Sequence, residues 1–364
     1  MANVEKAQQG FLTADRVFLG LLLLSFPAAV ASHFWFPGTN TFVFCALALV
    51  PLARLMGQAT EVIAHAVGPA LGGLLNASFG NAAELIIAIA GIRAGQIEVV
   101  KASLTGSILG NILLVLGAAI VAGGWKREFQ TINPTAALSG SAMMFLACTA
   151  LFVPDLFHLS RGDAGVPALQ SISNGISVVL LVMYAGSLLF ALKTHKHLYA
   201  AEGEGQEEEL PSWSPKRAVV YLLLATAGVV VVAEFLVHAI EPVVAQFGLT
   251  HTFVGVIVIA IVGNAAEHST AILVAMKNKM DLAFNIAFES SKQIAMFVAP
   301  VLVLCSGVLG HPMNLEFSHM EIVGVAAGVG AVTLIGLDGK SNWLEGVMLL
   351  GVYAVFAIGF FFMP

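Results

Sequence analysis

The chain has 364 residues, 58% of them hydrophobic and only 10% charged, with a formal net charge of −6 and a mean hydropathy of +0.91. Globular proteins carry about 25% charged residues, so this composition excludes a soluble domain that hides its apolar side chains in one core; lipid must be the solvent for most of the chain. No basic cluster suited to nucleic acid is present, and no phosphate loop, nucleophile constellation or cofactor motif appears, which argues against an enzyme or an ATP-driven pump.

Taken in chain order, stretches long and apolar enough to span a bilayer fall near 16–36, 40–56, 70–93, 98–123, 133–153, 170–192, 216–240, 251–275, 281–308, 318–337 and 342–363. The first sixteen residues are polar and the run after them is long enough to span, so it reads as a first transmembrane helix and not as a cleaved signal. "GQATEVIAHAVG", from Gly57 to Gly68, is short and polar and is expected to lie in the interface as an amphipathic helix. Cys45, Cys148 and Cys305 stand far apart in apolar runs and read as small buried hydrophobes.

The longest polar interruption holds the acidic run with Glu202, Glu204, Glu207, Glu208 and Glu209. It divides the chain into residues 1–38 (cytoplasmic N-terminus and first helix), 39–193 (five helices), 194–215 (linker) and 216–364 (five helices). The acidic run reads either as a solvated linker or as a weak cytosolic Ca²⁺ sensor. Threading the spans with the N-terminus in the cytoplasm puts twelve Lys and Arg residues inside and three outside. That is the positive-inside pattern. Lys292 alone lies within a span.

"GNAAE" occurs twice, at Gly80–Glu84 and Gly263–Glu267. A shift of 183 residues superposes the two copies and, without a gap, also aligns Ser107 with Ser290. Five helices is an odd number, so the second copy enters from the opposite side, and the expected fold is an all-α membrane protein with one N-terminal helix and two inverted five-helix repeats. In transporters built this way the substrate binds at the midplane between halves.

An ionised carboxylate at the bilayer centre costs about 3 kcal/mol on insertion scales and so should face a cavity or a partner. Asn81 with Glu84, and Asn264 with Glu267, are three residues apart and share a helix face. Two antiparallel copies converge carboxylates and amide oxygens on one point, an all-oxygen environment that suits Ca²⁺, which takes about six to eight oxygens. Ser107 with Asn111, and Ser290 with Gln293, add oxygens at the same depth. Two close carboxylates cannot both stay charged when empty, so either a divalent cation or protons must neutralise them. Exchange of one Ca²⁺ for two protons leaves the site's charge unchanged.

"GNAAELI", "GNAAEHSTAI", "SLTGSILGNILLVLG" and "KNKMDLAFNIAFESSKQIAMFVAP" resemble the signature repeats of the calcium/proton exchangers, the CAX family of the cation/calcium exchanger superfamily. Sodium/calcium exchangers of that superfamily usually carry a Thr-Ser and Pro-Glu version instead. The resemblance covers essentially the whole chain. It implies a Ca²⁺/H⁺ antiporter with no cofactor, whose Glu84 and Glu267 carry cation and proton in turn and whose Asn81, Asn264, Ser107, Ser290 and Gln293 line the site. It also implies a cation-entrance role for Glu61, which otherwise reads as a solvated carboxylate. A sodium-coupled exchanger of the same fold, and a passive channel, are the competing readings.

Glu289 and Lys292 depart from the family's pattern. They are three apart and read either as a locked neutral pair or, with Lys292 turned to Glu267, as a built-in countercharge. His268 reads as a proton relay or as a hydrogen-bonded helix histidine. Glu234 and His238, four apart, read as a pair on one helix face or as part of the ion path. The short N-terminus points to a prokaryotic cell membrane, and assembly into a homo-oligomer is left open.

Overall fold

The computed structural model describes residues 2–195 and 213–363 and is almost entirely helical. The acidic run therefore lies outside the described residues. The helices are α1 Ala2–Trp35, α2 Thr39–Val67, α3 Pro69–Phe79, α4 Ala82–Arg93, α5 Ile97–Gly124, α6 Pro134–Arg161 and α7 Val166–Leu189 in the first half. The second half has α8 Pro215–His238, α9 Ile240–Phe247, α10 His251–Gly263, α11 Ala265–Met276, α12 Met280–Ser306, α13 His319–Gly336 and α14 Trp343–Phe362.

Among the described residues, nine helices are long and apolar enough to cross a membrane, and α10 with α11 forms a tenth crossing bent by 61°. The expected span 70–93 is two separate helices, α3 and α4, interrupted at Gly80 and Asn81, so the described residues give up to ten such crossings where eleven were expected. Both breaks fall inside the repeated motif.

The expected interfacial helix at Gly57–Gly68 is not separate. Helix α2 runs unbroken through it, at about 1.5 Å per residue. No proline or helix-ending glycine interrupts the polar stretch, and Thr60 satisfies its hydroxyl on the Met56 carbonyl. The helix stops only where Gly68, at φ +90°, precedes Pro69, a C-terminal stop signal.

The connections sort to two ends of the bundle, as the threading requires. At one end β1 (Gln130–Thr131) pairs antiparallel with β2 (Lys340–Ser341), while Arg127 and Gln130 donate to the carbonyls of Met276 and Ala275. At the other end Lys101 donates to Asn314 and to the Glu316 carbonyl, Gln96 reaches Glu241, and Leu315 N–H donates to Ser173.

Two apolar cores result. One joins α1, α2, α8 and α9 with one face of α4; the other surrounds α5 and α12 and draws in α6, α13 and α14. Helices α5 and α12 are the innermost, with 83% and 72% of their most apolar windows buried, against 17% for α1 and α7. Lipid supplies no hydrophobic drive between helices, so close packing of small residues must hold them. At the α5–α10 crossing, a Cβ on Gly106 would lie 2.1 Å from the Val256 carbonyl oxygen, and one on Gly255 would lie 2.5 Å from Ala102 Cβ. Only glycine permits this backbone-to-backbone approach.

Candidate cation site

Each motif sits at a helix restart. Asn81 and Asn264 occupy the N-cap positions of α4 and α11, which places Glu84 and Glu267 in the first turn of each helix. A carboxylate there is favoured by the positive end of the helix dipole. An N-cap asparagine ordinarily folds back onto its own helix, but neither does so here.

Both asparagines instead reach the opposite half. Asn264 Nδ2 donates to Ser107 Oγ at 2.9 Å, and Ser290 Oγ donates to Asn81 Oδ1 at 3.2 Å. Since Ser290 and Asn264 are the repeat partners of Ser107 and Asn81, these two bonds are symmetry mates: each motif is tied to the innermost helix of the other repeat. The remaining partners differ. Asn111 Nδ2 donates to Ser290 Oγ at 2.9 Å, and Asn81 Nδ2 donates to Gln293 Oε1 at 2.6 Å. Helices α5 and α12 carry π-helical turns here, Gly110–Val115, which includes Asn111, and Ile294–Val298, which begins just after Gln293. Such turns recur at functional sites because they re-aim side chains without ending the helix.

Glu84 and Glu267 are electrostatic neighbours. Glu84 packs against the other motif: a Cβ on Gly263 would lie 3.7 Å from Glu84 Cγ. Each carboxylate is half-buried, and its Oε2 is sealed from solvent without a hydrogen-bond donor; Asn264 Oδ1 is in the same condition. An unsatisfied buried acceptor costs roughly 1–3 kcal/mol. All three orphans are acceptors, and what they lack is a positive partner. Among the described residues no three His, Cys, Asp or Glu side chains gather to hold a metal by themselves. A cation here would draw its remaining oxygens from amides, hydroxyls or water, which suits a hard ion and not zinc.

The other sequence-selected residues divide. Lys292 is 8% exposed and bonds Glu289 on its own helix at 2.6 Å. His268 has a buried Nε2 with no partner. His238 bonds the backbone carbonyl of Glu234 at 2.7 Å, so the expected side-chain pair is a ring-to-backbone contact, because a histidine one turn later reaches the carbonyl below it more directly than the outward-turned carboxylate. Glu234 and His238 are both exposed, and so is Glu61, on the last turns of α2. Asn111 extends the hydrogen-bonded chain Ser290–Asn81–Gln293 and was legible from its one-turn spacing to Ser107.

The family profile described as sodium/calcium exchanger protein matches residues 38–193 and 217–362. A Ca²⁺/H⁺ antiporter from Synechocystis sp. is 45% identical, the match covering 97% of this chain and 99% of the relative. The Ca²⁺/H⁺ antiporter ChaA of Bacillus subtilis is 43% identical over 95% of this chain and 99% of its own. Among solved structures, native YfkE superposes with a TM-score of 0.82 at 39% identity, over 95% of this chain and all of that one. The chain belongs to the sodium/calcium exchanger protein family, and the two relatives just described are Ca²⁺/H⁺ antiporters.

Proposed function

We propose that the protein is a secondary active antiporter that moves Ca²⁺ out of the cytoplasm in exchange for protons. Three donorless, buried acceptor oxygens, on Glu84, Glu267 and Asn264, carry this reading. They accept either a divalent cation or protons, and like-charge repulsion between the two carboxylates disfavours the state with neither. Two protons against one Ca²⁺ keep the site's charge constant, so its cost in the low-dielectric interior is the same in both loaded forms. Asn81, Asn264, Ser107, Ser290 and Gln293 hold the carboxylates in place and contribute oxygens. The inverted helix breaks let the site open to either side in turn, as alternating access requires. The positive-inside pattern supports a cytoplasmic N-terminus, and the relatives from Synechocystis and Bacillus support a prokaryotic cell membrane.

The test is uptake of radioactive Ca²⁺ into proteoliposomes under an imposed pH gradient, with and without a sodium gradient. Uptake driven by the pH gradient alone, abolished in Glu84→Gln and in Glu267→Gln, is the expected outcome. Uptake that requires sodium would establish the sodium-coupled alternative, and uptake with no gradient dependence would mean a channel.

A further inference from the structure

A narrow cleft adjoins the cation site. At its inner end it is bounded by Glu84, Ser107 and Gly263, then by Ser103 and Ile259. A second cavity shares Ile87, Ser103 and Ile259 with the first and continues between α4, α5 and the α8–α9 corner to Gln96, Val237 and Ile240. The two therefore form one line from the Glu84 carboxylate to the end of the bundle that carries the 94–96 and 239–250 connections.

The walls of that line are mostly apolar, and its polar groups are spaced along it. Ser103 lies one helical turn from Ser107 on the same face of α5 and donates its hydroxyl hydrogen to the Val100 carbonyl at 2.8 Å. Its oxygen is left as an acceptor toward the cleft. At the far end Glu241, whose side chain is 60% exposed, accepts from Gln96 Nε2 and contacts His251 Nε2, both at 3.0 Å. Glu241 stands on α9, whose Ile240 and Val243 belong to the α1–α2–α8 core, and of the residues one turn beyond Gln96, Val99 belongs to that core and Val100 to the other. The Glu241–Gln96 bond ties α9 to the start of α5 at the mouth of the cleft.

We propose that this cleft is the route of the transported cation between Glu84 and the face carrying Gln96, with Ser103 as its halfway oxygen and Glu241 as the carboxylate at its mouth. A partly dehydrated cation crossing an apolar constriction is helped by any acceptor placed between its two carboxylate stations. A mouth carboxylate raises the local cation concentration and so acts on capture more than on turnover. The proposal rests on cation transport by this chain, and its test keeps the two ideas separate.

Cysteines are introduced one at a time at Gln96 and Ser103 in full-length protein lacking Cys45, Cys148 and Cys305. A membrane-impermeant cationic thiol reagent is then applied to each face of proteoliposomes. Reaction of Ser103→Cys from the same face as Gln96→Cys is expected, with Ca²⁺ flux falling at least tenfold on modification of that one variant. A Ser103→Cys that stays unreacted while Gln96→Cys reacts, or that reacts only from the opposite face, overturns the route. Glu241→Gln keeps an acceptor for Gln96 and removes the charge. It should raise the half-saturating Ca²⁺ concentration on that face three- to tenfold while the maximal rate is kept, and an unchanged half-saturation overturns the mouth role. Labelling reports the route whether or not the parent chain exchanges Ca²⁺ for protons, so a failure of the antiport reading is recognised independently.

Discussion

Lys292 and Glu289 show how little a single charge can be interpreted before its partner is known. Their spacing allowed two fates for the lysine, and in the structure it bonds Glu289, one turn away on α12. Removing one partner of a fully buried pair costs about 3–5 kcal/mol. Glu289 is 42% exposed, however, and solvent reduces the loss to about 1–2 kcal/mol. Lys292→Met should therefore lower thermal stability, Glu289→Gln together with Lys292→Met should restore most of it, and neither should change the half-saturating Ca²⁺ concentration. A several-fold affinity change in Lys292→Met would reinstate the countercharge. The carboxylates of the motif were legible because ionisable groups stand out in an apolar run. The exchange of Asn81 and Asn264 across the halves was not, since an N-cap asparagine has a local use by default and only tertiary structure shows it declined.

At the scale of elements, apolar length located the spans but could not tell a continuous helix from a broken one. The polar turns at the end of α2 lowered its apparent membrane content without supplying any helix breaker, so composition suggested a separate segment where the backbone had no reason to stop. In α3–α4 and α10–α11 the opposite holds: the stretches are mostly apolar, and the break falls at a Gly-Asn step that composition does not weigh. Small-residue crossings were equally silent, because a glycine in a transmembrane run has many uses. Gly106→Ala forces a methyl into the Val256 carbonyl, and overpacking of this kind costs about 1–3 kcal/mol. Its melting temperature in detergent should fall by several degrees. Gly351→Ala, where nothing lies within 4 Å of the added carbon, should melt at the parent temperature or slightly above. Equal melting of the two variants would show that the α5–α10 contact is looser than described.

For the whole molecule, the two loaded states differ in which positive species holds the halves together, and mass action then ties Ca²⁺ affinity to pH. Where the Ca²⁺-free site carries two protons, binding Ca²⁺ releases both. The apparent dissociation constant should then rise by up to about 100-fold for each unit the pH falls, against about tenfold if only one proton is released. The sign is fixed: acid favours the protonated form and weakens Ca²⁺ binding, while at a pH high enough that the empty site holds no protons the dependence vanishes. Glu84→Gln and Glu267→Gln each remove one titrating carboxylate, so whatever Ca²⁺ binding survives in either variant should show at most the tenfold slope. Because α4 and α11 enter from opposite sides, a proton gradient acts on whichever face the site is open to, and the pH on that face sets the affinity there. Ca²⁺ titrations of purified protein across a pH series decide the matter, and a flat profile would mean that protons are not the counter-ion.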